Sequence, residues 1–165
     1  MCVRSQRIDR VAPVVSVVAR AIATAGGAGY APVAPGTCGS LVTLPLAWAL
    51  AGLPLGAYLG VVAGVIVVGA WAAGVADRVW GTHDSGRIVI DEVAGMLLTL
   101  AFVDRRAWPA LAIGFVLFRV ADIWKPWPAR AIDRGFPGGL GVVLDDVVAG
   151  AYAAIATWAA VRALS

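Results

Sequence analysis

The sequence predicts an all-α fold: a multi-helical integral membrane bundle with short transmembrane helices and an N-terminal interfacial helix. Three observations predict it. Hydrophobic residues make up 61% of the 165 residues and charged residues 14%, where a soluble domain carries about a quarter charged. The apolar residues fall into long runs dominated by Ala and Leu, without the strict alternation of strands. The charges gather at the ends of those runs.

The N-terminal segment, residues 1–25, carries Arg4, Arg7 and Arg10 ahead of the apolar stretch Val11–Ala25. Arg20 interrupts that stretch, which argues against a cleaved signal peptide. Val11, Val14, Val15, Val18 and Ile22 recur at helical spacing, with Arg20 on the side opposite Val18. This pattern fits a helix lying on the cytoplasmic leaflet or an ordinary amphipathic core helix. The membrane domain, residues 26–165, contains five apolar segments at about 40–53, 55–76, 91–103, 108–123 and 144–163. Pro54 marks a turn between the first two; Asp104, Arg105 and Arg106 mark the turn between the third and fourth. The polar stretches are 77–90 and 119–143, and no internal repeat is evident.

Orientation follows from the cations. With a cytoplasmic N-terminus, ten of the 13 Lys and Arg residues lie inside, and only Arg105, Arg106 and Arg162 lie outside. The uncharged runs Val93–Val103, Ala107–Phe118 and Val147–Val161 have 11, 12 and 15 residues. A spanning helix needs about 20. All three fall short at their inner ends, so either the bilayer thins locally or the charged ends are drawn below the headgroups; in the second case Asp91, Glu92, Arg119, Asp122, Asp145 and Asp146 share one depth. Carboxylates there must neutralise one another or bind a cation.

Several function classes lose support. The net charge of +3 and the absence of interleaved basic and aromatic residues argue against nucleic acid as a partner. Cys2 and Cys38 define neither a disulfide framework nor a zinc motif. A single histidine, His83, rules out any mechanism that needs two.

Four motifs could carry chemistry. His83-Asp84-Ser85-Gly86-Arg87 turns into a helix opened by Asp91-Glu92. The helix dipole accounts for one acid there, but poorly for two entering a membrane helix. Arg119 and Asp122 share a helical face, and Pro126 sets Lys125 at the helix mouth. The glycine-rich stretch 135–141 leads to Asp145-Asp146. Finally, Ala34-Pro35-Gly36-Thr37-Cys38-Gly39-Ser40 enters a helix whose N–H groups could bind phosphate, although Thr37 or Ser40 as a simple N-cap is the favoured reading. Hard oxygen ligands without a cysteine cluster suit Mg²⁺, and Arg and Lys suit phosphate charge. Physics alone therefore points to phosphoryl chemistry on a lipid headgroup.

The stretches PGTCGSL, THDSGRIVIDEVAGM, FRVADIWKPWP and GGLGVVLDDVVAG resemble the phosphatidylglycerophosphatase A family, in order and over about residues 30–155. The resemblance implies an all-helical, Mg²⁺-dependent hydrolase in the bacterial plasma membrane. It would be multi-pass with a cytoplasmic active site, releasing phosphate from phosphatidylglycerophosphate to leave phosphatidylglycerol. The expected metal ligands are Asp91, Glu92, Asp122, Asp145 and Asp146. The expected catalytic set is His83, Asp84, Asp91 and Asp145, with the nucleophile either water or an aspartate. The expected substrate contacts are Thr37, Arg119, Lys125, Arg130 and Gly139. Partners are the lipid substrate and the bilayer. A cation carrier is the other function class, but carriers place their acids near the midplane, whereas these gather at one edge.

Overall fold

The computed structural model describes residues 13–82, 84–125, 127–129, 135 and 138–164. Among them there is no strand. The α-helices described are, in order, α1 Pro13–Ala23, α2 Pro35–Ala49, α3 Leu55–Trp80, α4 Ile90–Thr99, α5 Trp108–Trp124 and α6 Gly139–Leu164. Two of them, α3 and α6, are long and apolar enough to cross a membrane.

The short helix α4 forms the centre. Ile90, Asp91, Val93–Leu97 and Thr99 are all buried, because α2, α3, α5 and α6 all pack around it. Its ten residues rise only about 15 Å. The 26 residues of α3 rise about 39 Å. Hence α4 cannot cross a hydrocarbon core of about 30 Å, and its charged first turn starts inside the bundle.

The expectation of short helices holds for α4 but not for α6. That helix has 26 residues and begins at Gly139, so Asp145 and Asp146 do not open it. They lie about 10 Å along its axis. The early start is a tertiary effect. A Cβ at Gly139 would overlap the Ala70 carbonyl and the Gly74 backbone of α3, so two backbones meet there and secure a glycine-rich first turn of low intrinsic propensity.

In α1 the two readings of the N-terminal helix combine. Ala19 and Ala23 are fully buried in the packing of α1 on α3, while Val14, Val15, Val17 and Val18 face outward. Small residues dock the helix, and the valine stripe stays free for lipid. The first part of the expected segment, residues 1–12, lies outside the described residues.

The far end of the bundle is tied by Tyr58 and Arg105. Tyr58 is fully buried and its hydroxyl donates to the Leu97 carbonyl at 2.8 Å. Arg105 lies 4.0 Å from the Tyr58 ring centroid and donates to the carbonyls of Ala101 (3.2 Å) and Leu53 (3.1 Å). Arg105, one of the three cations expected on the outer side, thus sits in the expected turn but as a buried clasp.

Candidate active site

The site is made where α4 and α6 touch. A Cβ at Gly150 would sit 2.5 Å from the Gly95 carbonyl oxygen, and one at Gly95 would sit 2.6 Å from the Asp146 carbonyl oxygen. Thr99 reinforces the contact, its hydroxyl reaching the Gly95 and Gly150 carbonyls at 2.9 and 3.3 Å. Each glycine lies one turn after an acid, in Asp91-Glu92-Val93-Ala94-Gly95 and Asp146-Val147-Val148-Ala149-Gly150. The two helices run the same way with glycines and acids at matching levels. Asp91 and Glu92 are thereby pressed toward Asp146. The two five-residue stretches are a short internal echo, which the sequence reading of no repeat overlooks.

One oxygen each from Asp91, Glu92 and Asp146 lie within 4.8 Å of one another. Asp91 Oδ1, Glu92 Oε2 and Asp146 Oδ2 are buried without any hydrogen-bond partner. A buried, unpartnered carboxylate oxygen is costly, and three acids that converge and each carry one suit a bound cation. The donor set is all oxygen, which fits a hard divalent ion such as Mg²⁺.

Asp145 follows another direction, as adjacent helical residues must. Its Oδ2 pairs with Lys125 Nζ at 2.6 Å, so it lines the cleft without belonging to the three converging oxygens. Lys125 closes α5 in a left-handed conformation, φ 45°, which aims its ammonium across to α6. Asp122, also expected among the ligands, stands against Asp146 but pairs with Arg119 at 2.6 Å.

The first turn of α2 completes the wall. A Cβ at Gly36 would collide with Glu92 Oε1 and come within 3.4 Å of Arg119 Nη1. Glycine there lets the α2 backbone lie against the acid. Neither Thr37 nor Ser40 caps α2: the N-cap is Ala34, in a left-handed conformation. Ser40 instead donates to the Gly36 carbonyl (3.0 Å) and accepts from Arg119 at 3.5 Å. Thr37 is half-buried in the same turn and does not line the cleft.

The resulting cleft holds about 250 Å³ and is lined by Pro35, Asp84, Gly86, Ile88, Asp91, Glu92, Asp122, Lys125, Val142, Asp145 and Asp146. Six carboxylates and the Lys125 ammonium thus line the cleft, and Arg119 stands behind it, paired with Asp122. Gly139, expected to contact substrate, packs on α3 instead. His83 and Arg130 lie outside the described residues. A larger cleft of about 570 Å³ among α1, α2, α3 and α4 is lined by Val18, Ile22, Val42, Leu46, Val65 and Ile90, with no charged side chain. It offers nothing to a phosphate.

A model of phosphatidylglycerophosphatase A matches residues 21–161. The chain belongs to the phosphatidylglycerophosphatase A family. It is 41% identical over 133 residues to phosphatidylglycerophosphatase A of Escherichia coli K12, covering 81% of this chain and 77% of that one. It is 35% identical over 144 residues to phosphatidylglycerophosphatase A of Haemophilus influenzae, covering 84% and 85%. A putative phosphatidylinositol-3-phosphatase of Bacteroides thetaiotaomicron is 40% identical over 149 residues, covering 83% and 92%. No solved structure matches. The family match spans α2 through most of α6, so every residue of the cleft falls within it.

Proposed function

We propose that the chain is a Mg²⁺-dependent lipid phosphatase that hydrolyses phosphatidylglycerophosphate to phosphatidylglycerol and inorganic phosphate at the cytoplasmic face of a bacterial plasma membrane. The observation that carries this reading is the meeting of Asp91, Glu92 and Asp146, each with a buried unpartnered oxygen, in a chain of this family. Those three residues would hold the ion. When bound, it supplies positive charge that polarises the phosphoryl oxygens and eases attack on phosphorus.

The remaining steps fall to the chain itself. Phosphoryl transfer is mostly positioning and charge stabilisation. Arg119, braced by Asp122 and Ser40, and Lys125, braced by Asp145, would neutralise the oxygens of the transferring group. Asp84, at the cleft's exposed edge, is where a proton passing between water and the leaving glycerol oxygen would be held. A water adds to phosphorus, the bond to the glycerol oxygen breaks, and that oxygen takes up a proton. The cytoplasmic assignment is supported by the bias of cations to one side of the apolar segments. It also accords with a cleft open at the α2 and α4 N-terminal ends.

The relative named for phosphatidylinositol-3-phosphate makes the headgroup the point to test. Purified protein in mixed micelles is assayed for phosphate release from phosphatidylglycerophosphate, phosphatidylinositol-3-phosphate and phosphatidic acid. Phosphatidylglycerophosphate should be turned over fastest; EDTA should stop the reaction and Mg²⁺ restore it. Full turnover after exhaustive chelation would remove the metal, and preference for the inositol lipid would replace the substrate.

A further inference from the structure

Asp77 lies one turn before the end of α3 and does not line the cleft. It is a local anomaly on two counts. It is buried, at 6% exposure, with no cation paired to it among the described residues. It also places a negative charge in the last turn of a helix, where the dipole disfavours an anion. Such breaches of local preference are expected where function demands them.

Its carboxylate is wholly engaged with the segment that follows. Oδ1 accepts from the Thr82 hydroxyl at 3.1 Å and the Ser85 N–H at 3.2 Å, and Oδ2 accepts from the Asp84 N–H at 2.9 Å. The Asp77 carbonyl takes the Thr82 N–H as well, at 3.0 Å. Asp84 is held at φ 54°, a left-handed conformation that few side-chain-bearing residues adopt. From that position Asp84 lines the cleft. The other end of the segment is also pinned: the Val89 N–H donates to the Ala23 carbonyl at 2.9 Å. A Cβ at Gly29 would overlap the Arg87 carbonyl. The rim from 84 to 89 is therefore a fixed strap between α3 and α4, and Asp77 is its anchor on the α3 side.

We propose that Asp77 is a positioning residue, which sets Asp84 at the cleft edge and affects turnover only through it. The inference rests on the phosphatase reading of the cleft. An amide cannot replace the acid, since its nitrogen would confront one of three N–H or O–H donors. The graded order of loss should be Asp77→Ala greater than Asp77→Asn greater than Thr82→Val, which removes a single donor.

The test is a double-mutant cycle on kcat with phosphatidylglycerophosphate and Mg²⁺. Asp77→Asn should lower kcat roughly 10–100-fold, the range for residues that orient a site from behind. In an Asp84→Asn background the same change should cost less than about twofold, because the residue it positions is already disabled. The Mg²⁺ concentration for half activation should not move in the single Asp77 variant. Amide hydrogen exchange should quicken at Ser85 and leave α4 protected. An equal loss from Asp77→Asn in both backgrounds makes the residue merely structural and overturns the proposal. So does an Asp84→Asn protein with full turnover, or failure of both the Asp77→Asn and Thr82→Val proteins to fold. Loss of all activity on chelation with an intact cycle leaves the phosphatase reading standing, whereas absence of lipid phosphatase activity in the unaltered protein defeats that reading separately.

Discussion

The contact of Gly95 with Gly150 can be tested by one methyl group. Gly150→Ala places a Cβ 2.5 Å from the Gly95 carbonyl oxygen, with Gly95 Cα at 2.9 Å and its carbonyl carbon at 3.0 Å. All three are backbone atoms of a buried helix, so no side chain can swing aside. Ordinary contact begins near 3.4 Å, which requires α4 and α6 to part by about 0.9 Å. Asp91 and Glu92 would then retreat from Asp146 by a similar amount. Displacement of reacting groups by about 1 Å costs on the order of 100-fold in rate. Overpacking costs about 1–3 kcal/mol, offset by about 1 kcal/mol from the better helix propensity of Ala. The net stability loss, about 0–2 kcal/mol, stays below the roughly 2.7 kcal/mol that a 100-fold rate loss represents. The assay is phosphate release from phosphatidylglycerophosphate over a Mg²⁺ titration, with thermal unfolding in the same detergent. Expected are a drop in kcat of about two orders of magnitude and a raised Mg²⁺ requirement. Gly60→Ala is the control, since nothing lies within 4 Å of its Cβ, and it should behave as the unaltered protein. A Gly150→Ala protein within twofold of normal turnover, with an unshifted Mg²⁺ requirement, would refute the account of how the acids are brought together.

Two further outcomes follow from the same geometry. Glu92→Gln should lower turnover by roughly 10²–10³-fold, the range for removing one group that carries transition-state charge, while Asp145→Asn should chiefly raise KM by releasing Lys125 from its 2.6 Å pair. Equal effects of the two on kcat would put Asp145 back among the metal ligands. Tyr58→Phe removes the 2.8 Å bond to the Leu97 carbonyl and should lower stability by about 1 kcal/mol with kcat unchanged, since Tyr58 lies at the far end of α3 from Asp77 and the cleft; a kcat change would mean the two ends are coupled.

Much of this was legible in the residues. The apolar runs gave five helices in the right order, and Pro54 and the Asp104–Arg106 turn gave two of their boundaries. The start of α6 was not legible, because Gly139 and Gly141 read as loop until Gly139 is seen against the α3 backbone. The acids were identified as a set, yet their division of labour was not. Asp145 and Asp146 are neighbours in sequence, but about 100° apart around the helix. One therefore meets Lys125 and the other meets Asp91 and Glu92. The burial of Asp77 is not legible in sequence, because it depends on Thr82, Asp84 and Ser85 folding back onto its carboxylate, which no spacing announces. The signal in the sequence for the α4–α6 contact is the D-x-V-A-G echo at 91–95 and 146–150.

That echo also explains how so many carboxylates are tolerated at this position. A glycine one turn beyond an acid lets a neighbouring helix come close, and two such helices side by side bring two acids together at one level. Closeness alone would be repulsive, by several kcal/mol for like charges at an effective dielectric near 20. A cation between them, as proposed above, would turn that repulsion into attraction. The α4–α6 contact fixes the distance at which the acids meet. The short length of α4 keeps that meeting point below the surface of the bundle; on the proposed reading, the phosphate of a membrane-held lipid would enter the cleft while its acyl chains stay in the hydrocarbon. If the ion is what reconciles the acids, metal-free protein should be looser at the first turn of α4 than at its end, and hydrogen exchange at Val93 and Ala94 should slow when Mg²⁺ is added while that of the Tyr58 end does not.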